Sequence, residues 1–182
     1  MDARNWTIRG KAMSVPIASS PPAGSALALQ FDQAYYADCF AQSVGPLPLR
    51  CASEVYFNLT ASSPLWVNML LKLRDSLVSL FGFTPTNGFA RAGGACRQNA
   101  LAPGSDVDFF RVRQISDTEL VLGLEDAHFD VLLSIYLNRE VEGDRVFITS
   151  IVQPHTSLGK LYLAAIKPFH KCVVKSMLKR LS

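Results

Sequence analysis

The amino-acid sequence predicts an α+β domain in which an antiparallel sheet is covered on one face by a long C-terminal helix. Three observations predict this class. Apolar residues recur at helical spacing over 157–180, two shorter helical patterns lie near the N-terminal third, and short strand-like stretches fill most of the region between. The later stretches are separated by only three to five residues, and connections this short join antiparallel neighbours.

The C-terminal pattern is typical of an amphipathic helix. At about 100° per residue, one broad apolar stripe contains Leu158, Leu161, Tyr162, Ala165, Ile166, Phe169, Cys172 and Val173. The opposite face carries Lys160, Lys167, Lys171 and Lys175. Burying a large apolar side chain contributes about 1.5–3 kcal/mol, so we expect the sheet to cover this stripe. Pro168 predicts a bend near residues 164–167, which either shapes a cavity floor or lets the helix follow a curved sheet.

Five strands are predicted from the change to a period of two. The first covers residues 37–44, and the others cover 107–115, 119–124, 128–139 and 145–153. In the strand over 128–139, one face carries Phe129, Val131, Leu133, Ile135 and Leu137, whereas the other carries His128, Asp130, Ser134, Tyr136 and Asn138. We therefore expect one face of the sheet to be buried and the other to be largely solvated.

Two helices are predicted before this meander. Ser53 is a candidate N-cap for a helix over 54–61. Ser63 and Pro64 predict the start of a second helix and Gly82 its end; its apolar residues are Trp66, Met69, Leu70, Leu73, Leu77, Leu80 and Phe81. Arg74 and Asp75 interrupt this pattern, and as adjacent helix residues they need separate partners; Glu125 or Asp126 is the candidate for Arg74.

Composition indicates one soluble domain without a nucleotide or membrane signature. The 182 residues are 49% apolar and 18% charged, with a net charge of +3. The four cysteines form no C-x-x-C pair, and no apolar run reaches membrane-spanning length. We expect a flexible leader over 1–24, a single domain over 25–182, and a cytoplasmic location. The Gly-rich stretch 84–104 matches no phosphate-binding motif and predicts a long loop.

Several motifs, in this order, resemble a known family. They are Pro64-x-Trp66, Leu73-Arg74-Asp75-x-Leu77-Val78 with Phe81-Gly82, Leu122-Gly123-Leu124-Glu125-Asp126-x-His128-Phe129-Asp130, Leu158-Gly159-x-Leu161-Tyr162, Pro168-Phe169-His170 and Met177-Leu178. The chain from about Ser25 resembles a bacterial family of domains of unknown function assigned to the START-related SRPBCC superfamily. The resemblance implies the helix-grip fold, a curved antiparallel sheet of six or seven strands wrapped around the last helix. It also implies a cavity for small apolar molecules, and no established reaction.

We therefore expect a small apolar or amphipathic ligand in a cavity between the sheet and the last helix. The candidate ligand-binding residues are Trp66, Phe129, Val131, Leu133, Tyr162, Ile166, Phe169 and His170. Apolar burial would supply affinity, and the Tyr162 hydroxyl and His170 would orient the ligand. We expect no catalytic residue, metal, cofactor, nucleic-acid partner or integral membrane contact, and the oligomeric state stays open.

Three alternatives remain at this point. His170 and Tyr162 could handle protons in a cyclase- or hydratase-type enzyme, since histidine titrates near neutral pH. His128 and Asp130, with His155 or His170, could hold a metal. The alternative is that these side chains form a solvent-side network or provide a structural partner for Arg74. The lysine face could dock on an anionic membrane or on nucleic acid, or could simply be solvated.

Overall fold

The computed structural model describes residues 15–44, 49–61, 63–78, 101–141 and 143–181. Within these residues, seven antiparallel strands form one sheet: β1 (Ile17–Ala18), β2 (Tyr36–Ser43), β3 (Asp106–Val107), β4 (Phe110–Ile115), β5 (Glu119–Glu125), β6 (Phe129–Asn138) and β7 (Arg145–Pro154). Their order across the sheet is β1-β2-β7-β6-β5-β4-β3. The described helices are α1 (Ala28–Phe31), α2 (Ala52–Ala61), α3 (Leu65–Val78) and α4 (Ser157–Leu178), and a 3-10 turn follows at Lys179–Leu181.

The predicted α+β class and the meander from β4 to β7 are confirmed, with β2 paired to β7. This arrangement is consistent with a helix-grip fold. The prediction of five strands is wrong, because β1 and β3 are two-residue strands that show no period. The predicted strand over 107–115 divides at Asp108, which has a φ of 53° and turns the chain between β3 and β4. Asp tolerates this left-handed backbone better than most residues do.

The N-terminal boundaries differ from the predicted ones. Strand β1 lies inside the range 1–24 predicted as a flexible leader, so regular structure starts before Ser25. Helix α2 begins at Ala52, which places Ser53 inside the helix and not at its N-cap. Helix α3 begins at Leu65, one residue after Pro64, its predicted first residue. Its end, Gly82, and most of the stretch 84–104 lie outside the described residues.

The sheet buries both faces, which corrects the expectation of a solvated outer face. On the inner face, α2 and α4 enclose the main core with Phe40, Leu122, Ile135 and Leu178. On the outer face, Leu27 packs with Val121 and Ile151. The segment before β2 covers this side because its Ser25 hydroxyl and Ala26 N–H donate to the buried carboxylate of Glu119, at 2.6 and 2.9 Å.

Helix α4 begins one residue after Thr156, whose hydroxyl accepts the N–H of Gly159 at 3.0 Å. This contact satisfies one of the free donors of the first turn. The helix continues through Pro168, as predicted. Its buried residues are Gly159, Leu163, Val174, Met177 and Leu178.

The predicted apolar stripe of α4 is therefore off-centre. Leu161 and Phe169 are 68% and 53% exposed, and Ala165 and Cys172 are exposed as well. From the helical repeat, the face formed by the buried and half-buried residues together is rotated by about 90° from the predicted stripe. The physical reason lies in the contacts that α4 makes at its first turn and at His170, which are described below.

Candidate functional site

A cavity of about 250 Å³ lies between the inner face of the sheet, α2, α3 and α4. Its walls are mainly apolar. The sheet supplies Phe110, Leu124, Phe129, Val131, Leu133, Ile135, Ile148 and Val152, α3 supplies Val67, Leu70 and Leu71, and α4 supplies Leu163, Ile166, Phe169, Val173, Val174 and Met177. A 150 Å³ apolar cavity accepts benzene, so by proportion this one accommodates roughly ten non-hydrogen atoms.

The structure brings seven of the eight predicted ligand-binding residues to this cavity. They are Phe129, Val131, Leu133, Tyr162, Ile166, Phe169 and His170. Trp66 does not line it, and its side chain is 43% exposed. The correction follows from the orientation of α3, which turns Val67, Leu70 and Leu71 inward and leaves Trp66 and Met69 on the outer side.

One end of the α4 wall is defined by an aromatic stack. The ring of Tyr162 lies parallel to that of Phe129, with centroids 5.4 Å apart and an interplanar angle of 6°. Phe129 is 4% exposed, whereas Tyr162 is half-buried. The pair fixes the first turns of α4 against the start of β6, and it presents ring atoms to the cavity.

A polar cluster interrupts the apolar wall further along α4. Asp38 and Ser150 lie opposite each other on β2 and β7. The Nε2 of His170 lies 3.1 Å from the Ser150 hydroxyl and 3.4 Å from a carboxylate oxygen of Asp38. The other carboxylate oxygen of Asp38 accepts the hydroxyl of Tyr36 at 2.6 Å. Tyr36, Ser150 and His170 line the cavity, and Asp38, 8% exposed, is not among its lining residues.

The charge of this cluster is set by competing effects on Asp38. Burial alone would raise the pKa of Asp38, but the hydrogen bond and charge of His170, with hydrogen bonds from Tyr36 and Ser150, hold that pKa below its usual value. Burial, together with the hydrogen bond to Asp38 and its negative charge, raises the pKa of Tyr36. At neutral pH the cluster therefore contains a carboxylate and a protonated phenol.

The cluster has the residue types of a Ser-His-Asp triad without its geometry. In a triad, the carboxylate binds one ring nitrogen of the histidine and the serine binds the other. Here Nε2 faces both Ser150 and Asp38, so the carboxylate is not placed to support proton removal from the serine through the ring. The arrangement orients His170 and keeps Asp38 charged.

His128 and Asp130 each take a separate partner. The Nδ1 of His128 lies 3.0 Å from the Thr156 hydroxyl, at the start of α4. The carboxylate of Asp130 pairs with Nε2 of His155 at 2.9 Å, with both side chains nearly half exposed. Across the described part of the chain, no three His, Cys, Asp or Glu side chains are grouped as metal ligands. Glu125 pairs with Arg113, and the side chain of Arg74 lies outside the described set.

Three of the lysines of α4 lie over aromatic rings of the segment around β2. The ammonium groups of Lys160, Lys167 and Lys175 are 5.6, 4.6 and 5.1 Å from the ring centroids of Tyr35, Tyr36 and Phe40. Such cation–π contacts contribute about 0.5–1 kcal/mol at exposed sites. The lysine face thus has a structural role in holding α4 across the β2 edge.

Sequence reasoning missed Tyr36, Asp38, Ser150 and Lys167 as members of the site. The sequence contains one signal for Asp38. It is a carboxylate within a predicted apolar strand, two residues before Phe40 and therefore on the same face of that strand. The sequence contains no such signal for Ser150, because only the pairing of β2 with β7 brings it opposite Asp38.

Fold and site together define an α+β protein whose antiparallel sheet and C-terminal helix enclose an apolar cavity with one polar cluster. Residues 30–177 match the family described as "protein of unknown function (DUF2867)". The match spans more than half of the 182 residues, and the protein belongs to this family. No curated protein and no solved structure matched the chain. Among the described helices, none is long and apolar enough to cross a membrane.

Proposed function

We propose that this protein is a helix-grip member of the SRPBCC superfamily that binds a small apolar or amphipathic molecule between its sheet and α4. The cavity of about 250 Å³ carries the proposal. Protein interiors are close-packed, and a mainly apolar pocket with a few placed polar groups is the usual form of a small-molecule site. Its walls leave room for a molecule of roughly ten non-hydrogen atoms.

The polar cluster gives such a ligand an orientation. Apolar walls alone bind without direction, and a few placed polar groups fix a ligand within a pocket. Ser150 and His170 reach the cavity from one side only, where β2, β7 and α4 meet. A ligand with one polar group would direct that group toward this side and its apolar part toward Phe129 and Val131.

The arrangement supports binding better than an enzyme that uses His170 and Tyr162. The two residues are eight positions apart on α4, which corresponds to about 12 Å along the helix axis. Proton transfer requires each group to lie within hydrogen-bond reach of the atom it serves, so the two side chains could act together only on well-separated atoms of one ligand. Three lysines of this face pack over rings of the same chain, so we do not propose a membrane-surface function either.

Filling the cavity tests the proposal. Ile166 lines the cavity from α4 and is half-buried, so Ile166→Trp should occupy the ligand volume. We expect the wild type to bind one octan-1-ol per chain in isothermal titration calorimetry, and Ile166→Trp to bind none. The matched control is Ala164→Trp, which adds the same ring on an exposed position of α4 and should bind like the wild type. Equal octanol binding by a folded Ile166→Trp would contradict the proposal.

A further inference from the structure

The described residues of the cavity wall carry positive and neutral groups but no carboxylate. Among the described residues that line it, the ionisable side chains are Tyr36, Tyr56, Tyr162, Lys167 and His170. The nearby Asp38 is 8% exposed, and its carboxylate contacts the Tyr36 hydroxyl and the His170 ring. A ligand in the cavity therefore meets the ammonium of Lys167 without a competing negative group on the wall.

Lys167 is a half-buried cation with no acidic partner among the residues that the structure describes. No carboxylate of the described residues lies within 4.0 Å of its ammonium, which has the ring of Tyr36 as its contact at 4.6 Å. Residues 145–182, which include α4, contain no Asp or Glu, so an acidic partner within the chain would have to come from another element. Partial burial of a charge is unfavourable unless the charge is paired, and an anionic group of the ligand would supply the pair.

We propose that the ligand is a small amphipathic carboxylate, with its apolar chain in the cavity and its carboxylate paired with Lys167. This inference rests on the proposed function, and it adds the charge of the ligand. Lys167 lies three residues before His170 on α4, and residues at this spacing are neighbours on a helix surface. The carboxylate thus sits beside the polar cluster, at the side of the cavity where Ser150 and His170 also reach the ligand.

Three probes with the same eight-carbon chain separate charge from apolar burial. Octanoate has ten non-hydrogen atoms and matches the cavity, whereas octan-1-ol is neutral and octylammonium is cationic. Ion pairs to partly buried charges contribute more than the 0.2–1 kcal/mol of exposed pairs. We expect the wild type to bind octanoate about tenfold more tightly than octylammonium in calorimetry, with the preference reduced at high salt.

Variants of α4 assign the preference to Lys167. Lys167→Met keeps most of the length of the side chain and removes its charge, so octanoate affinity should fall about five- to tenfold more than octanol affinity does. Lys167→Arg should retain the preference. The control Lys171→Met removes a charge one turn away, at an exposed position that does not line the cavity, and should change neither affinity.

The outcomes distinguish this inference from the proposed function. Octanol binding with no preference for octanoate would refute the assignment of a carboxylate ligand and leave the cavity as a binding site. Equal loss of octanoate affinity in Lys167→Met and Lys171→Met would also refute it, because net charge and not the pocket would then be the cause. Binding of none of the three probes by the wild type would refute both.

Discussion

The contact between Gly159 and the start of β6 gives a test of how α4 is held. A Cβ at residue 159 would lie well inside 3.0 Å of the carbonyl oxygen of His128 and 3.1 Å from its carbonyl carbon. Both are backbone atoms, and the same oxygen accepts the N–H of His155 at 2.8 Å. Gly159→Ala must therefore move the helix or the strand by about 1 Å, which strains a packed interface.

The expected cost follows from two opposing effects. Alanine is favoured over glycine in a helix by about 0.8–1 kcal/mol, whereas overpacking costs about 1–3 kcal/mol. Because the obstacle is backbone, we expect the upper end of that cost and a net destabilisation of about 1–2 kcal/mol. For a chain of this size the melting temperature should fall by about 2–8 °C, measured by calorimetry together with the free energy of unfolding in urea.

The matched control is the second glycine with a close neighbour. At Gly123 an added Cβ would meet the Arg113 side chain at 2.5 Å, and that side chain is 39% exposed and can swing into solvent. Gly123→Ala should stay within about 1 kcal/mol of the wild type. A Gly159→Ala protein as stable as the wild type, or more stable, would refute the close approach of α4 to His128.

Two further predictions concern buried carboxylates. Because the pKa of Asp38 is below its usual value, the unfolded state binds more protons, and stability should fall as pH decreases below about 4. Asp38→Asn should flatten this slope in urea unfolding between about pH 3 and pH 5, and an unchanged slope would contradict the assignment. Glu119→Gln should cost about 1–3 kcal/mol and speed amide exchange at Ala26, because Glu119 accepts two serine hydroxyls and the Ala26 N–H. The control Glu125→Gln, at an exposed position, should change neither the free energy of unfolding nor the amide exchange at Ala26. Equal effects of Glu119→Gln and Glu125→Gln would contradict the role of Glu119.

The parts of the fold that sequence predicted are those with a long, regular period. The ten residues of β6 and the 22 residues of α4 carry enough repeats for helix and strand to be told apart. The two-residue strands β1 and β3 have no period, and β1 is defined only by its pairing with β2. The cover on the outer face depends on Glu119, which reads in sequence as an ordinary polar residue at a strand start.

The candidate site shows the same division between local pattern and long-range pairing. Part of the lining from β6 and α4 follows from alternation and helical spacing, and the seven predicted residues on these two elements reach the cavity. Trp66 was assigned from helical spacing alone, which does not give the rotation of α3. The polar cluster joins residues more than 100 positions apart, Asp38 with Ser150 and His170, so no local pattern contains it.

The rotation of α4 shows why a hydrophobic stripe did not decide its orientation. Leaving Leu161 and Phe169 more than half exposed forgoes roughly 1–2 kcal/mol for each side chain. Turning them inward would carry His170 away from Asp38, which would then keep the hydroxyls of Tyr36 and Ser150 alone; a lost hydrogen bond to a charged group costs about 1.5–3 kcal/mol. The two costs are of similar size, so apolar burial alone does not decide the orientation. The close approach at Gly159 adds a further constraint on rotation, and the orientation that results places Lys167 on the cavity wall.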